Sequence, residues 1–515
     1  MSLARRRFIA AAGIGAAASV LRVAGAGAVE AGVVRPGDVG YAELSGRGYN
    51  RRFVARAEKI FVPSSGEEVR GAVERAVGEG LRMAVRSGGH GFADLVDNDR
   101  TRAIIDMGRL GGVRWDGEYR AFSVDAGADL GAVYERLLGE WGVTVPAGIC
   151  KGVGAGGHFA GGGYGPLSRR LGLVSDHLYG VELVTVDASG KASIVVATRD
   201  GPHADLWWAH TGGGGGNFGV VTRYLLRSPD SDGGDPAAAL PKPPGRVLST
   251  RLVLPFLTEE AFVRFVGNYL AFFERHSAPG DPFAGLYAPL HLRPGLVGSD
   301  VLVVLDGERS HFEEFVAAIS DGVLPPPVSL PLNEFSYGDT LANVYYAKGM
   351  PGFRVKARSA YLRKAYSTDQ LRILHRYLSD VRFLGESQVE FLPFGGAVNA
   401  VAADATAMPA RDSFMKMLIH AAWRLPGDDE RFVAWAREMY RDVYAETGGV
   451  PVPNDANGGA YINYPDPDLA DPRWNGSGVP WHAFYYGANY ERLRRIKSEW
   501  DPNTRFQHSL SLDRP

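Results

Sequence analysis

Three glycine-rich segments constrain this chain more than any other feature. Arg86-Ser87-Gly88-Gly89-His90 follows directly on the apolar run Met83-Ala84-Val85. A second segment holds Gly148, Gly152, Gly154, Gly156, Gly157, Gly161, Gly162, Gly163 and Gly165, interleaved with Ile149, Val153, Phe159 and Tyr164. The third runs from Gly212 to Gly216 into Asn217-Phe218-Gly219-Val220-Val221. Glycine carries no Cβ, so such stretches let backbone lie close to other backbone or to a flat or phosphorylated ligand. The apolar anchors within the second segment argue against a flexible linker. Inward-turned N–H groups in the first segment suit an anion such as a pyrophosphate, and the same residues also suit a plain tight turn. The pattern is not G-x-G-x-x-G opening a helix, so nicotinamide binding is not favoured.

Around these segments the sequence reads as two domains, the natural outcome for 515 residues. Residues 58–62 read as a strand, followed by a helix with Val69, Ala72, Val73 and Ala76 on one face and a strand at 83–85. That order predicts an α/β unit. Further strands are expected at 103–106 and 121–124, a helix at 130–138, a hairpin pairing 183–187 with 193–196, and a strand at 219–226. Residues 228–245, rich in Ser, Asp, Gly and Pro, read as a linker or long loop between two domains. Beyond it, strands at 251–253 and 301–305 and a helix at 259–274 predict a separate α+β domain. With 45% hydrophobic and 22% charged residues the chain is an ordinary folded protein. A formal net charge of −2 disfavours a nucleic-acid-coating surface. The single cysteine, Cys150, excludes an intramolecular disulfide.

The N-terminus reads as an address. Arg5-Arg6-Arg7-Phe8-Ile9, an apolar stretch and Ala24-Gly25-Ala26 together form an export signal over residues 1–28, of the twin-arginine (Tat) type. This predicts a secreted protein. No other segment approaches the ~20 apolar residues of a membrane span.

Three motif groups then carry a resemblance: RSGGH at 86–90; Cys150 with GGH-x-x-GGGYG behind it; and GGGGNFGVVT at 213–222. The C-terminal part adds Tyr461-x-Asn463-Tyr464-Pro465-Asp466-x-Asp468-Leu469 and Tyr485-Tyr486-Gly487-x-Asn489-Tyr490. Over about residues 50–512 the chain resembles the berberine bridge enzyme-like flavoprotein oxidases of the vanillyl-alcohol oxidase superfamily, most of all actinobacterial members that oxidise natural products. One departure is Gln507-His508-Ser509-Leu510, where the family commonly has Asn-Gln-Ser-Ile. The resemblance implies an α+β, two-domain flavoprotein. An FAD-binding domain would span 45–240, and a substrate domain with a helix-covered antiparallel sheet would span 241–460. Segment 461–515 would return to the first domain.

The resemblance also implies FAD attached twice, by His90 to the 8α-methyl carbon and by Cys150 to C6. The remaining cofactor contacts would come from Arg86, Ser87, Gly88, Gly89, Gly148, Gly152, Gly156, Gly157, His158, Gly162, Gly163, Tyr164, Gly216, Asn217, Phe218, Gly219, Val220, Tyr486 and Asn489. His158 and His210 lie within flavin motifs, so no metal site is expected. Oxidising an alcohol needs a base for the hydroxyl proton while hydride leaves the carbon. A tyrosine with a pKa of about 10 needs a nearby cation or a second phenol to serve. Tyr464 is the first choice and Tyr461 its support, with Glu390 orienting substrate or tuning a tyrosine. The same tyrosines also suit aromatic packing, and Glu390 a solvated strand. Tyr345 and Tyr346 are weaker candidates for the substrate face, and Trp423 and Trp481 for a sugar-binding groove. The expected partners are a small-molecule alcohol, on a secondary metabolite or its sugar, and dioxygen. Alternatives are an oligosaccharide oxidase, an oxidative cyclase and a non-catalytic metabolite-binding flavoprotein.

Overall fold

The computed structural model describes residues 32–349 and 352–514. The export signal read at residues 1–28 lies outside the described residues. The first domain is built on two sheets. In one, β1 (Val33–Val34), β2 (Lys59–Phe61), β4 (Ala103–Asp106) and β3 (Met83–Arg86) lie side by side in that order. β2 and β3 run parallel to β4, which is inserted between them. The expected strand–helix–strand unit is present, therefore, but its two strands are not neighbours. Its helix, Gly66–Gly78, starts where Ser65 caps the Glu68 N–H and buries Val69, Ala72, Val73 and Ala76. The other sheet runs β5 (Val113–Asp116), β6 (Ala121–Asp125), β9 (Val220–Leu226), β7 (Leu178–Val186), β8 (Ala192–Thr198), wholly antiparallel.

The helix expected at 130–138 extends over Leu130–Trp141. Asp129 caps it, and Gly142, in the left-handed region at φ 62°, ends it. Residues 228–245 are not a free linker. Ser228 N–H donates to Ala239 O (2.8 Å), Thr144 N–H donates to Pro241 O (2.9 Å), and Ala239 and Leu240 are buried.

The second domain is a nine-stranded sheet. Its main path runs β14 (Val328–Ser329), β10 (Val247–Val253), β13 (Asp300–Leu305), β12 (Leu290–Leu292), β17 (Gln388–Pro393), β18 (Met415–Trp423), β16 (Arg354–Leu362). β11 (Leu286–Tyr287) joins β13, and β15 (Asn333–Phe335) joins β10. All pairs are antiparallel. Helices Glu259–Arg275, Thr368–Leu378 and Asp429–Val443 cover one face. Val389, Phe391, Met417 and Ile419 pack into that helical core. Strand side chains alternate between faces, so Gln388, Glu390, Leu392, Leu418 and His420 point the other way, towards the first domain.

The chain then crosses both domains. Residues 457–468 run along β16, with Tyr361 N–H donating to Gly459 O (2.8 Å) and Tyr461 N–H to Ser359 Oγ (3.2 Å). A buried ion cluster fixes this stretch. Asp466 meets Arg358 (2.7 Å) and Lys356 (2.6 Å), and Asp468 meets Lys356 (2.7 Å) and Arg437 (2.8 Å). Helix Tyr490–Trp500 packs on Ala204–Ala209 of the first domain. Its Lys497 Nζ donates to Asn217 O (2.6 Å) and Phe506 O (2.8 Å).

Candidate active site

A cavity of about 430 Å3 opens between the domains. Its first-domain wall comes from the three glycine-rich segments, with Arg86, Ser87, Gly88, Gly89, His90, Gly148, Cys150, Gly156, Gly157, His158, Tyr164, Gly216, Asn217 and Gly219 all lining it. The segments touch each other through backbone. A Cβ on Gly88 would sit 2.9 Å from Gly154 Cα, and one on Gly154 would sit 2.8 Å from Gly88 Cα. Side chains are excluded there, and this holds the His90 turn against the Cys150 turn. Gly152 packs beside His90, where a Cβ would lie 3.4 Å from His90 Nε2. Burial lowers the pKa of His90 and pushes the Cys150 thiol up to about 12.

Six other residues expected at the cofactor lie elsewhere. Phe218 and Val220 belong to the hydrophobic core, because Asn217 closes the glycine turn and β9 begins at Val220. Gly162 and Gly163 form a left-handed turn packed on Met408 and Val174. Tyr486 donates its hydroxyl to Gly213 O (3.1 Å) behind the third glycine segment. Asn489 donates to Ala403 O (2.8 Å) and Thr406 O (3.1 Å), holding the loop that contains both. These residues support the wall from behind.

The second-domain wall carries Glu390, Gln388, His420, His291 and Tyr346, joined by Tyr461 and Tyr464. Tyr345 turns away into the core against Tyr134. Trp423 stacks on Phe432 on the helical side, and Trp481 packs among Tyr485, Tyr486 and Tyr490, so neither reaches the cavity. The Tyr461 and Tyr464 rings meet edge to face at 5.2 Å. Tyr464 also stacks on Phe92 (5.6 Å). Asn463 Nδ2 donates to the Tyr461 hydroxyl (2.9 Å) and to His158 O (2.9 Å), linking the tyrosine pair to the second glycine segment.

Lys416 is the main residue missed from the sequence. Its Nζ is buried with no hydrogen-bond partner among the described residues, 3.4 Å from the Tyr164 ring centre, 4.3 Å from that of Tyr461 and 5.1 Å from that of Tyr464. A cation over ring faces is attracted by their quadrupoles. Burial drives the Lys416 pKa well down, and the charge of Glu390 pulls it back up. Burial raises the Tyr464 phenol, and Glu390 raises it further. The ammonium and the phenols thus oppose each other: a charged Lys416 favours the phenolate, and a dry site favours neutral partners. The available signal was one lysine between Met415 and Met417 in a strand whose only other polar residue is His420.

The first-domain wall fits a flavin dinucleotide. The glycine cradle is space that a Cβ would fill, and the buried Arg86 Nη2 at its edge has no hydrogen-bond partner among the described residues. Residues 57–193 match the family described as "FAD binding domain", and residues 460–513 match "Berberine and berberine like". The chain is 46% identical to aclacinomycin-N/aclacinomycin-A oxidase of Streptomyces galilaeus, over 92% of this chain and 88% of that protein. It is 28% identical to hexose oxidase of Chondrus crispus, over 90% and 92%. Among solved structures, glycopeptide hexose oxidase complexed with teicoplanin superposes with a TM-score of 0.90 at 43% identity, covering 94% of this chain and 98% of that one. Fold and cavity wall together define an FAD-dependent oxidoreductase of the vanillyl-alcohol oxidase type. Within that class, the chain belongs to the berberine bridge enzyme-like family of FAD-linked oxidases.

Proposed function

We propose that this enzyme oxidises a hydroxyl group on the sugar of a secondary metabolite, with dioxygen as acceptor and FAD tied through both His90 and Cys150. The observation that carries this reading is the placement of His90 and Cys150 on one wall of the cavity and of Tyr461, Tyr464 and Glu390 on the other. The similarity to an aclacinomycin oxidase and to a glycopeptide hexose oxidase supports a glycosylated natural product as substrate. When bound, FAD supplies the two-electron oxidant and returns the electrons to dioxygen as hydrogen peroxide. The glycine segments and Arg86 would hold the cofactor, with His90 and Cys150 as its attachment points.

This chain's residues do the rest. Tyr464 accepts the substrate hydroxyl proton, and Lys416 beneath the rings, in its charged form, favours the phenolate that receives it. Tyr461, held through its hydroxyl by Asn463, orients Tyr464 or exchanges roles with it. The sheet face of the second domain covers the cavity, lowering the water content in which the proton moves. Because such a flavoprotein is loaded before export, the Tat-type signal at residues 1–28 fits secretion of the folded holoenzyme. Replacing Arg5-Arg6 by Lys-Lys should impair that export.

The test is the mass and peptide map of the denatured protein, followed by peroxide release on glycosylated metabolites. One FAD mass mapped to both His90 and Cys150, with substrate-dependent peroxide, is the expected result. In His90→Ala the flavin should remain attached through Cys150 alone. Wild-type protein that releases all its flavin on denaturation would refute the double attachment.

A further inference from the structure

Residues 47–50 grip the turn that carries His90 at successive points. Arg47 donates to Ser87 O and pairs with Asp106. Its carbonyl lies against Gly89, whose left-handed backbone (φ 74°) would put a Cβ 3.2 Å from Arg47 O. Tyr49 N–H donates to Gly89 O (2.8 Å), and Asn50 Nδ2 donates to Phe92 O (2.6 Å). Asn50 is buried and used on both sides. Its Nδ2 also donates to Val355 O (3.0 Å) on β16, and its Oδ1 accepts from Val355 N–H (2.9 Å). The segment is thereby fixed to the second domain while it holds a turn of the first, and a satisfied buried network of this kind is rigid.

One contact of the segment reaches His90 itself. The Tyr49 ring stacks on the imidazole, with centres 5.1 Å apart and planes within 13°. Phe92 (5.9 Å) and Phe353 (6.2 Å) pack on the Tyr49 ring in turn and set its direction. Among the described residues neither the His90 ring nitrogens nor the Tyr49 hydroxyl forms a hydrogen bond. The torsion that turns an imidazole about its Cβ–Cγ bond is broad. With no hydrogen bond to fix it, the plane of His90 follows the face it rests on. Burial also favours the neutral imidazole, the form with a lone pair to give.

We infer that Tyr49 is a positioning residue for flavin attachment: its ring, carried by the 47–50 segment, presents the His90 imidazole in the orientation that bonds. This rests on the proposed attachment at His90 and states what prepares that residue for it. The bond joins a ring nitrogen to the 8α carbon and removes one hydrogen from each. The two electrons and two protons leave through the flavin to dioxygen, as hydrogen peroxide.

Attachment is timed in Cys150→Ser protein, where His90 is the remaining tie, and in His90→Ala protein, where Cys150 is. Protein is purified at successive times after synthesis is induced. Total flavin is read from the native spectrum, and attached flavin from the fraction that survives denaturation. Each background also carries Tyr49→Leu, which keeps bulk without a flat face, or Tyr49→Phe, which keeps the face. In Cys150→Ser, Tyr49→Leu should slow attachment about tenfold, since a stacked pair biases ring orientation by up to roughly that factor. Tyr49→Phe should match its parent, and attachment through Cys150 in His90→Ala should be indifferent to both. Equal rates for Tyr49→Leu and its Cys150→Ser parent would overturn the inference and leave attachment at His90 standing. The inference would also fall if Tyr49→Phe were as slow as Tyr49→Leu, if the Cys150 tie slowed equally, or if Tyr49→Leu lost its native flavin. Cys150→Ser protein that releases all its flavin on denaturation would remove attachment at His90 from the proposed function, and this inference with it.

Discussion

Gly154→Ala should damage the active site without touching any residue that reacts. A methyl group at position 154 would lie 2.8 Å from Gly88 Cα, and closer still to Gly88 N and Ser87 Oγ, whereas ordinary contact begins at 3.4 Å. The obstacle is mostly backbone, so it cannot swing aside. The two glycine segments must part by roughly 1 Å, a typical overpacking strain of about 1–3 kcal/mol. That displacement acts between the turn carrying His90 and the turn carrying Cys150. A misplacement of about 1 Å can cost on the order of 10²-fold in rate. Three readouts follow: denaturant unfolding, the fraction of protein that carries flavin, and anaerobic flavin reduction in a stopped-flow instrument. Gly71→Ala is the control. Gly71 lies inside helix Gly66–Gly78 with nothing within 4 Å of its added Cβ, so alanine there should stabilise by about 0.5–1 kcal/mol. Gly154→Ala protein with wild-type stability, flavin content and reduction rate would refute the argument that backbone contact sets the spacing of His90 and Cys150.

Three further outcomes are expected. Tyr464→Phe should slow flavin reduction by about 10²–10⁴-fold while leaving substrate Kd nearly unchanged, and an unaltered reduction rate would remove Tyr464 as the base. Asp466→Asn should cost about 3–5 kcal/mol in urea unfolding, because Arg358 is wholly buried and loses its partner; the double variant with Arg358→Met should recover much of this. Burial opposes the ionisation of Asp468, but Arg437, Lys356 and Arg358 outweigh it and hold the carboxyl well below the usual range. For Asp300, burial is outweighed by His291, Arg293 and Arg251. Both folded pKa values are depressed, so their contribution to stability is complete above about pH 4 and is lost as pH falls from there. Denaturant midpoints between pH 7 and 3 would show it, and a midpoint that rises on acidification would contradict it.

Local patterns made much of the fold legible. The helix Glu259–Arg275 and the strand Asp300–Leu305 stand within a residue of their expected ends, because each carries its own periodicity and the helix its own Thr258 cap. Strand order was not legible: β4 entering between β2 and β3 depends on pairings that no local run encodes. β12 is only three residues long with His291 at its centre, too short for alternation to register. At the site, Glu390 could be assigned to a central strand, but Lys416 could not be linked to the tyrosines. Its neighbours Tyr164, Phe394 and Tyr461 come from three distant parts of the chain. Trp423 and Trp481 misled for the opposite reason: large aromatics stabilise cores as readily as they line grooves, and both were drawn into packing.

The two-faced sheet of the second domain has a consequence for how such an enzyme changes over generations. One set of alternate residues is committed to helices, and the other set looks onto the cavity. Replacements at Gln388, Glu390, Leu392, Leu418 or His420 alter what the site admits, while Val389, Phe391, Met417 and Ile419 continue to hold the domain together. Selectivity and foldability are thereby encoded in separate letters of the same strands. A lineage can explore new substrates by single substitutions on one face, with the cofactor wall untouched on the opposite domain. A saturation library confined to those five positions should therefore be rich in folded, flavin-loaded variants, and the variants should differ chiefly in what they oxidise.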